Sequence, residues 1–178
     1  EEFLINTHFK IKNKYKDIIT IIIPRHTNKF KNIIKICNKL NLKYQIINDE
    51  KDIKINSDII IVNAFGLLPK YFNICKNVFI GKSLLKKFEL IGGQNPIEPA
   101  KLGCKVYHGP YVSNFKDVYD LLNSKNISEL VNTSDELSNK IINNFKYEND
   151  QSNEIVKKLN IFGSQILLDT SNEIKKLL

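Results

Sequence analysis

"NVFIGKSLLKKFELIGGQNPIEPAKLGCKVYHGPYVSNFKDV", residues 77–118, contains two short apolar runs, each followed by a glycine-bearing loop and then a helical pattern. The runs "NVFIG" (77–81) and "CKVYHG" (104–109) have the length and the β-branched and aromatic content of strands. Between them, Asn95, Pro96 and Glu98 have the spacing of a helix N-cap, first position and third position, so the acid could reach back to the cap amide. "SNFKDVYDLLNS" then places Phe115, Val118 and Leu122 on one helical face, with Ser113 or Asn114 as a natural N-cap. Strand, helix, strand, helix predicts parallel pairing, because only a crossover brings the second strand back alongside the first.

The alternation continues on both sides. "DIITIII" (17–23) is a β-branched run of the kind buried on both faces of a parallel sheet. "YQIIN" (44–48) and "DIIIVN" (58–63) predict further strands, and "ISELV" (127–131) a weaker one. Phe30, Ile33, Ile34, Cys37 and Leu40 share one helical face. "LLPKYFNIC" carries a short helix with Pro69 in its first turn. Thr133 and Glu136 have capping-box spacing ahead of Leu137, Ile141 and Phe145. "EEFLINTHF" at the start reads as a strand, and 151–178 as one or two closing helices. The expected fold is therefore α/β, a single domain over 1–178 built as a Rossmann-like, doubly wound parallel sheet. Ligands in such sheets lie beyond the carboxyl ends of the strands. That rule singles out the loops "PRHTN", "NAFG", "GKSLL…GGQNPIEP" and "GPYVSNF".

Composition narrows the classes. An apolar fraction of 42% with 26% charged residues is that of a globular protein. No apolar run approaches the ~20 residues of a membrane-spanning helix. The net charge of +8 comes from lysines dispersed among asparagine and isoleucine, so a nucleic-acid partner is not expected. An anionic membrane surface remains a partner that this charge allows. Cys37, Cys75 and Cys104 form no C-x-x-C pair, and His8, His26 and His108 are scattered, so neither a metal nor a cofactor is expected.

Within the loops, Arg25 is the only arginine of the chain and follows a buried strand, where a guanidinium suits a phosphate or carboxylate. Beside it, His26 fits packing or function equally. Gly92 and Gly93 exceed what a capped helix requires, and paired glycines let backbone amides approach an anion. An acid such as Glu98 suits ribose hydroxyls. From these features alone, the loop fits a helix cap and a ligand wall about equally. Gly109 and Pro110 are explained by turn chemistry. There is no P-loop, no nucleophile elbow, no H-E-x-x-H and no carboxylate pair placed for acid–base work.

Taken together, "IIIPRH", "FGLL" and "FIGKSL…GGQNPIEPAKLGCKVYHGPYVSNFKDV" resemble, in order and spacing, the C-terminal domain of the 3-deoxy-D-manno-octulosonic acid (Kdo) transferases. That family's pattern looks like "PRHPER", "MGEL" and "FVGGSL…GGHNPLEPA…GP…NF", and "INTH" (5–8) is similar to its "STH". The match covers about residues 20 to 120. The resemblance implies the C-terminal half of a GT-B glycosyltransferase, binding the donor CMP-Kdo. It also implies that Pro24 and Arg25 contact the CMP moiety, that Phe65, Gly66 and Leu67 form a second contact segment, and that Asn95, Pro96, Ile97 and Glu98 form a third. His26, Ser83, Gly92, Gly93, Gln94, Gly109, Pro110 and Asn114 would support them.

The chain departs from the pattern at several points. Leu67 stands for an acid, Asn63-Ala64 for Asp-Thr, Lys82 for the second glycine of "GGSL", Gln94 for a histidine and Tyr111 for the histidine of "GPH". The stretch from His8 to Ile18 is also short for the helix that precedes "PRH" in the family. The general base and the site for the lipid A precursor would lie in an N-terminal half absent from these residues. This chain alone would then bind donor and catalyse nothing, and the whole would work at the cytoplasmic face of a bacterial inner membrane. The alternatives are a GT-B enzyme using another nucleotide-sugar and a degenerate, non-catalytic GT-B module.

Overall fold

Every strand pair among the described residues is parallel. The structure is a computed structural model, and it describes residues 1–24, 30–54, 56–64, 66–146 and 148–177. The chain divides into two compact units, Glu1–Leu68 with Asn132–Phe145, and Pro69–Val131 with Lys146–Leu178.

In the first unit, β3 (Ile59–Val62) is buried along its length and lies between β1 (Thr20–Ile22) and β2 (Tyr44–Ile47). A strand with neighbours on both sides and cover on both faces needs an unbroken apolar run, which "IIIV" provides. α2 (Phe30–Lys39) turns Ile33 and Cys37 into the core beside Ile22, Ile59 and Ile61, with Phe30, Ile34 and Leu40 packed around them, as its period predicts. β1 is shorter than the run at 17–23, because its register with β3 extends only from Thr20 to Ile22.

The amino-terminal stretch corrects one expectation. Residues Glu2–Lys12 form α1, not a strand. Ile5, His8 and Ile11 recur every three residues and are all buried, a helical spacing, and α1 packs on α6 (Ser134–Asn144). The helix begins upstream of His8 and absorbs "INTH", so the length from His8 to Ile18 does not limit it. α6 starts as its sequence predicts. Thr133 Oγ1 accepts from the Glu136 amide at 3.1 Å, while Glu136 accepts from the Asn132 amide at 2.6 Å.

In the second unit, β5 (Lys105–His108) lies between β4 (Asn77–Ile80) and β6 (Ser128–Leu130). Its core joins Ile80, Val106 and Ile127 with Ala100 of α4 (Ile97–Lys101), Tyr119 and Leu122 of α5 (Lys116–Ser124), and Ile155 of α7 (Glu148–Leu177). α3 (Leu68–Ile74) keeps Pro69 in its first turn. The parallel α/β architecture is the expected one, with its hydrogen-bonded ladders grouped as two triples, β1-β3-β2 and β4-β5-β6. The three cysteines are free. Burial pushes the Cys104 thiol up to about 12, and its sulfur lies 3.1 Å from the Phe72 carbonyl oxygen, so it is an inert packing group.

Candidate functional site

Strand register decides which loops leave together. Ile80 pairs with His108, and His108 with Leu130, so the loops that begin at Gly81 and Gly109 depart from one edge of the second sheet. In the first unit Ile22 pairs with Ile61, so Pro24 and Asn63 depart from one edge of that sheet. Both edges are carboxyl ends, as the rule for ligand loops requires. Arg25, His26 and Phe65 lie outside the described residues. Gly66 has a φ of 78°, in the left-handed region, and Leu67 beside it is half-buried.

Ser83 ties two loops of the second unit together. Its fully buried hydroxyl donates to the Ile80 carbonyl at 2.7 Å and accepts from the Gly109 amide at 2.9 Å. The Ser83 carbonyl accepts from the Tyr111 amide at 2.8 Å. A Cβ at Gly109 would fall against the Ser83 carbonyl, which is why no side chain fits there.

The paired glycines have a different role from the one anticipated. A Cβ on Gly92 would strike the backbone carbonyl oxygens of Tyr111 and Phe88. The Gly92 amide donates to Ser113 Oγ at 3.2 Å, and its carbonyl accepts from the Asn114 amide at 3.1 Å. Gly93, at φ 82°, donates its amide to the Lys82 carbonyl at 2.8 Å. Both amides are therefore spent on loop-to-loop packing and do not face a ligand. The same contacts correct the capping of α5. Ser113 and Asn114 sit in a 3-10 turn ahead of it, and Phe115 occupies the N-cap position without a side-chain bond. The Asn114 side-chain amide instead donates to the Ile91 carbonyl at 3.0 Å. These polar groups are claimed by the glycine loop before the helix begins.

The start of α4 lies one residue later than its spacing suggests. Pro96 is the N-cap and Ile97 the first helical residue. Asn95 Oδ1 accepts from the Ile97 amide at 3.0 Å, a turn of two residues that leaves the oxygen short of the second helical amide. Glu98 is exposed in the first turn and does not reach back. Among the described residues, the amides of Gln94, Asn95 and Glu98 have no hydrogen-bond partner. The available donors thus lie at 94–98, just past the glycines.

One residue that the sequence did not single out holds this turn. Tyr119, buried on α5, donates its hydroxyl to the Gln94 carbonyl at 2.9 Å. Burial raises its pKa, so it remains a donor at working pH. Its ring lies 4.4 Å from that of buried His108, whose Nδ1 is 2.8 Å from the Gly109 carbonyl. A polar-tipped aromatic on an apolar helix face is the signal that marks such a residue. Lys82 has a φ of 58°, so the position where the pattern "GGSL" places glycine does require left-handed backbone.

No protein-family model matches the chain. It is 23% identical over 179 aligned positions to the 3-deoxy-D-manno-octulosonic acid transferase of Haemophilus influenzae, covering 100% of this chain and 40% of that protein. The protein of the same name from Aquifex aeolicus is 26% identical over 140 positions, 79% of this chain and 37% of its own length. A bifunctional glycosyltransferase/methyltransferase of Fusobacterium nucleatum is 29% identical over 182 positions, 93% of this chain and 27% of that protein. The chain therefore spans less than half the length of these curated relatives. Among solved structures, the C-terminal CMP-Kdo binding domain of WaaA from Acinetobacter baumannii superposes with a TM-score of 0.74 at 20% identity, over 89% of this chain and 82% of that one. The chain has the fold of that domain, the C-terminal half of a GT-B architecture, and its sequence similarity is to Kdo transferases.

Proposed function

We propose that this chain is the donor-binding domain of a glycosyltransferase that moves Kdo from CMP-Kdo to a lipid A precursor at the cytoplasmic face of a bacterial inner membrane. The observation that carries this reading is the turn 94–98. Its unpartnered amides and exposed acid fall within the motif that carries the resemblance to Kdo transferases. In this reading Arg25 pairs with the CMP phosphate, Glu98 accepts from ribose hydroxyls, and the amides of Gln94, Asn95 and Glu98 hydrogen-bond the nucleotide. Pro24, Phe65, Gly66 and Leu67 line the donor, while Asn95, Pro96 and Ile97 shape the turn. Ser83, Gly92, Gly93, Gly109 and Asn114 hold the loops in place from behind.

Transfer with inversion requires a base on the acceptor hydroxyl and stabilisation of the departing CMP. This chain supplies the second. The base and the acceptor site belong to the remainder of a longer protein. Calorimetric titration with CMP, repeated with UDP and GDP, tests the reading. Saturable binding that favours CMP and is lost on Arg25→Ala or Glu98→Ala supports it, and binding unchanged in both variants overturns it. A degenerate GT-B module is the second reading, favoured by half-buried Leu67 where the pattern carries an acid. Complementation of cells lacking Kdo transfer by the full-length gene excludes that module.

A further inference from the structure

Leu85, Leu90 and Ile91 are 52%, 85% and 53% exposed on one loop, immediately before the paired glycines. The loop is not loose. The Phe88 amide bonds the Leu85 carbonyl at 2.9 Å, the Glu89 amide bonds the Lys86 carbonyl at 2.9 Å, and the Ile91 amide bonds the Phe88 carbonyl at 3.1 Å. Its ends are fastened by the bonds from Gly93 to Lys82 and from Asn114 to Ile91. A backbone that satisfies itself this fully could turn its apolar side chains inward, yet three of them face water.

Three lysines share the loop with those side chains. Lys82, Lys86 and Lys87 have no acidic partner among the described residues, and Glu89 is the only acid between 82 and 91. The Lys82 and Lys87 ammonium groups lie 5.9 and 5.2 Å from the centre of the Phe88 ring, close enough for cation–π attraction. Exposed leucine and isoleucine on one loop with unpaired lysines match a bilayer with an anionic surface, where apolar tips enter the acyl boundary and ammonium groups meet headgroups. A second copy of the chain is a poorer occupant, since it would set one lysine cluster against another.

We infer that residues 82–91 form a docking loop for an anionic membrane surface. The loop leads directly into Gly92, so docking would hold the 94–98 turn near the bilayer. The inference does not rest on the donor assignment, because vesicle binding is measured without nucleotide.

The test is co-sedimentation of the chain with vesicles of phosphatidylglycerol in phosphatidylcholine, and of phosphatidylcholine alone. Binding to the anionic vesicles is expected, lost on Leu90→Asp or Ile91→Asp and weakened roughly fivefold by each of Lys86→Gln and Lys87→Gln. Thermal unfolding midpoints of the variants should match the parent, since these side chains are exposed. No binding to anionic vesicles overturns the inference. So does binding unchanged in all four variants, which would assign it to the overall charge. Lipid-free self-association dispersed by Leu90→Asp would also overturn it, by assigning the patch to a second copy.

Discussion

The Tyr119 hydroxyl donates a hydrogen bond of 2.9 Å to the carbonyl oxygen of Gln94, linking the core of α5 to the turn that presents the free amides. Tyr119 is fully buried and Gln94 is exposed, so the bond ties a fixed core group to a surface turn. Tyr119→Phe keeps the ring and removes the bond. It should lower the unfolding free energy by about 1 kcal/mol in urea titration. CMP affinity should fall as well, if the turn seats the nucleotide.

Two glycines should respond to alanine with opposite signs. Gly92→Ala drives a methyl into the carbonyl oxygens of Tyr111 and Phe88, which are backbone atoms and cannot rotate away. A loss of about 2 kcal/mol is expected. Gly163 lies inside α7 with nothing within 4 Å of an added Cβ. Gly163→Ala should raise stability by up to about 1 kcal/mol, through helix propensity alone. Paired urea titrations check both.

Lys82 occupies left-handed backbone at φ 58°, where a Cβ crowds the following carbonyl. Lys82→Gly should therefore stabilise the chain by about 1 kcal/mol. A thermal midpoint that falls would show that the Lys82 side chain, above Phe88, contributes more than its backbone costs.

His8 sets an acid limit on stability. Its Nδ1 meets Thr20 Oγ1 at 2.9 Å, its Nε2 is buried without a partner, and burial lowers its pKa to about 4, with nearby Asp58 opposing the shift only in part. The folded imidazole resists a proton that the unfolded chain accepts near pH 6.5. Stability from this group is present above pH 6.5 and is lost as pH falls from there toward 4, at up to about 1.4 kcal/mol per pH unit. For Asp58, burial is outweighed by bonds from Lys12 and the Lys43 amide, so its carboxyl lies below the usual range. Its contribution is present above the unfolded carboxylate pKa and is lost as pH drops through the lowered one. Urea titrations between pH 7 and pH 4 should show the decline, and His8→Gln should flatten it over that span.

Much of the fold was legible in the sequence because period and burial coincide. The run "DIIIVN" reads as a strand and is one, and the spacing of Ile33 and Cys37 reads as a helix face and is one. The opening helix is not legible in "EEFLINTHF", because its apolar residues Phe3, Leu4, Ile5 and Phe9 follow no clear helical period. Burial of Ile5 against Ile22, Ile33 and Ile59, the bond from His8 to Thr20, and the packing of α1 on a helix more than a hundred residues later make it a helix. No local pattern contains that partner.

The candidate site divides in the same way. The sequence by itself determined the parallel α/β class, the loops at the carboxyl ends of the strands, and the glycine and Asn-Pro-Ile-Glu motif, because these follow from side-chain period, backbone freedom and residue order. Only the tertiary structure decided what the glycines are for. Gly92 and Gly93 make room for the backbone of the loop after β5, and their amides are consumed by Ser113 of that loop and by the Lys82 carbonyl of the loop after β4. The free donors consequently lie at Gln94, Asn95 and Glu98, and a tyrosine from another helix holds their turn. Steric contact and hydrogen-bond competition between segments distant in sequence made that choice, and neither is written in the spacing of residues.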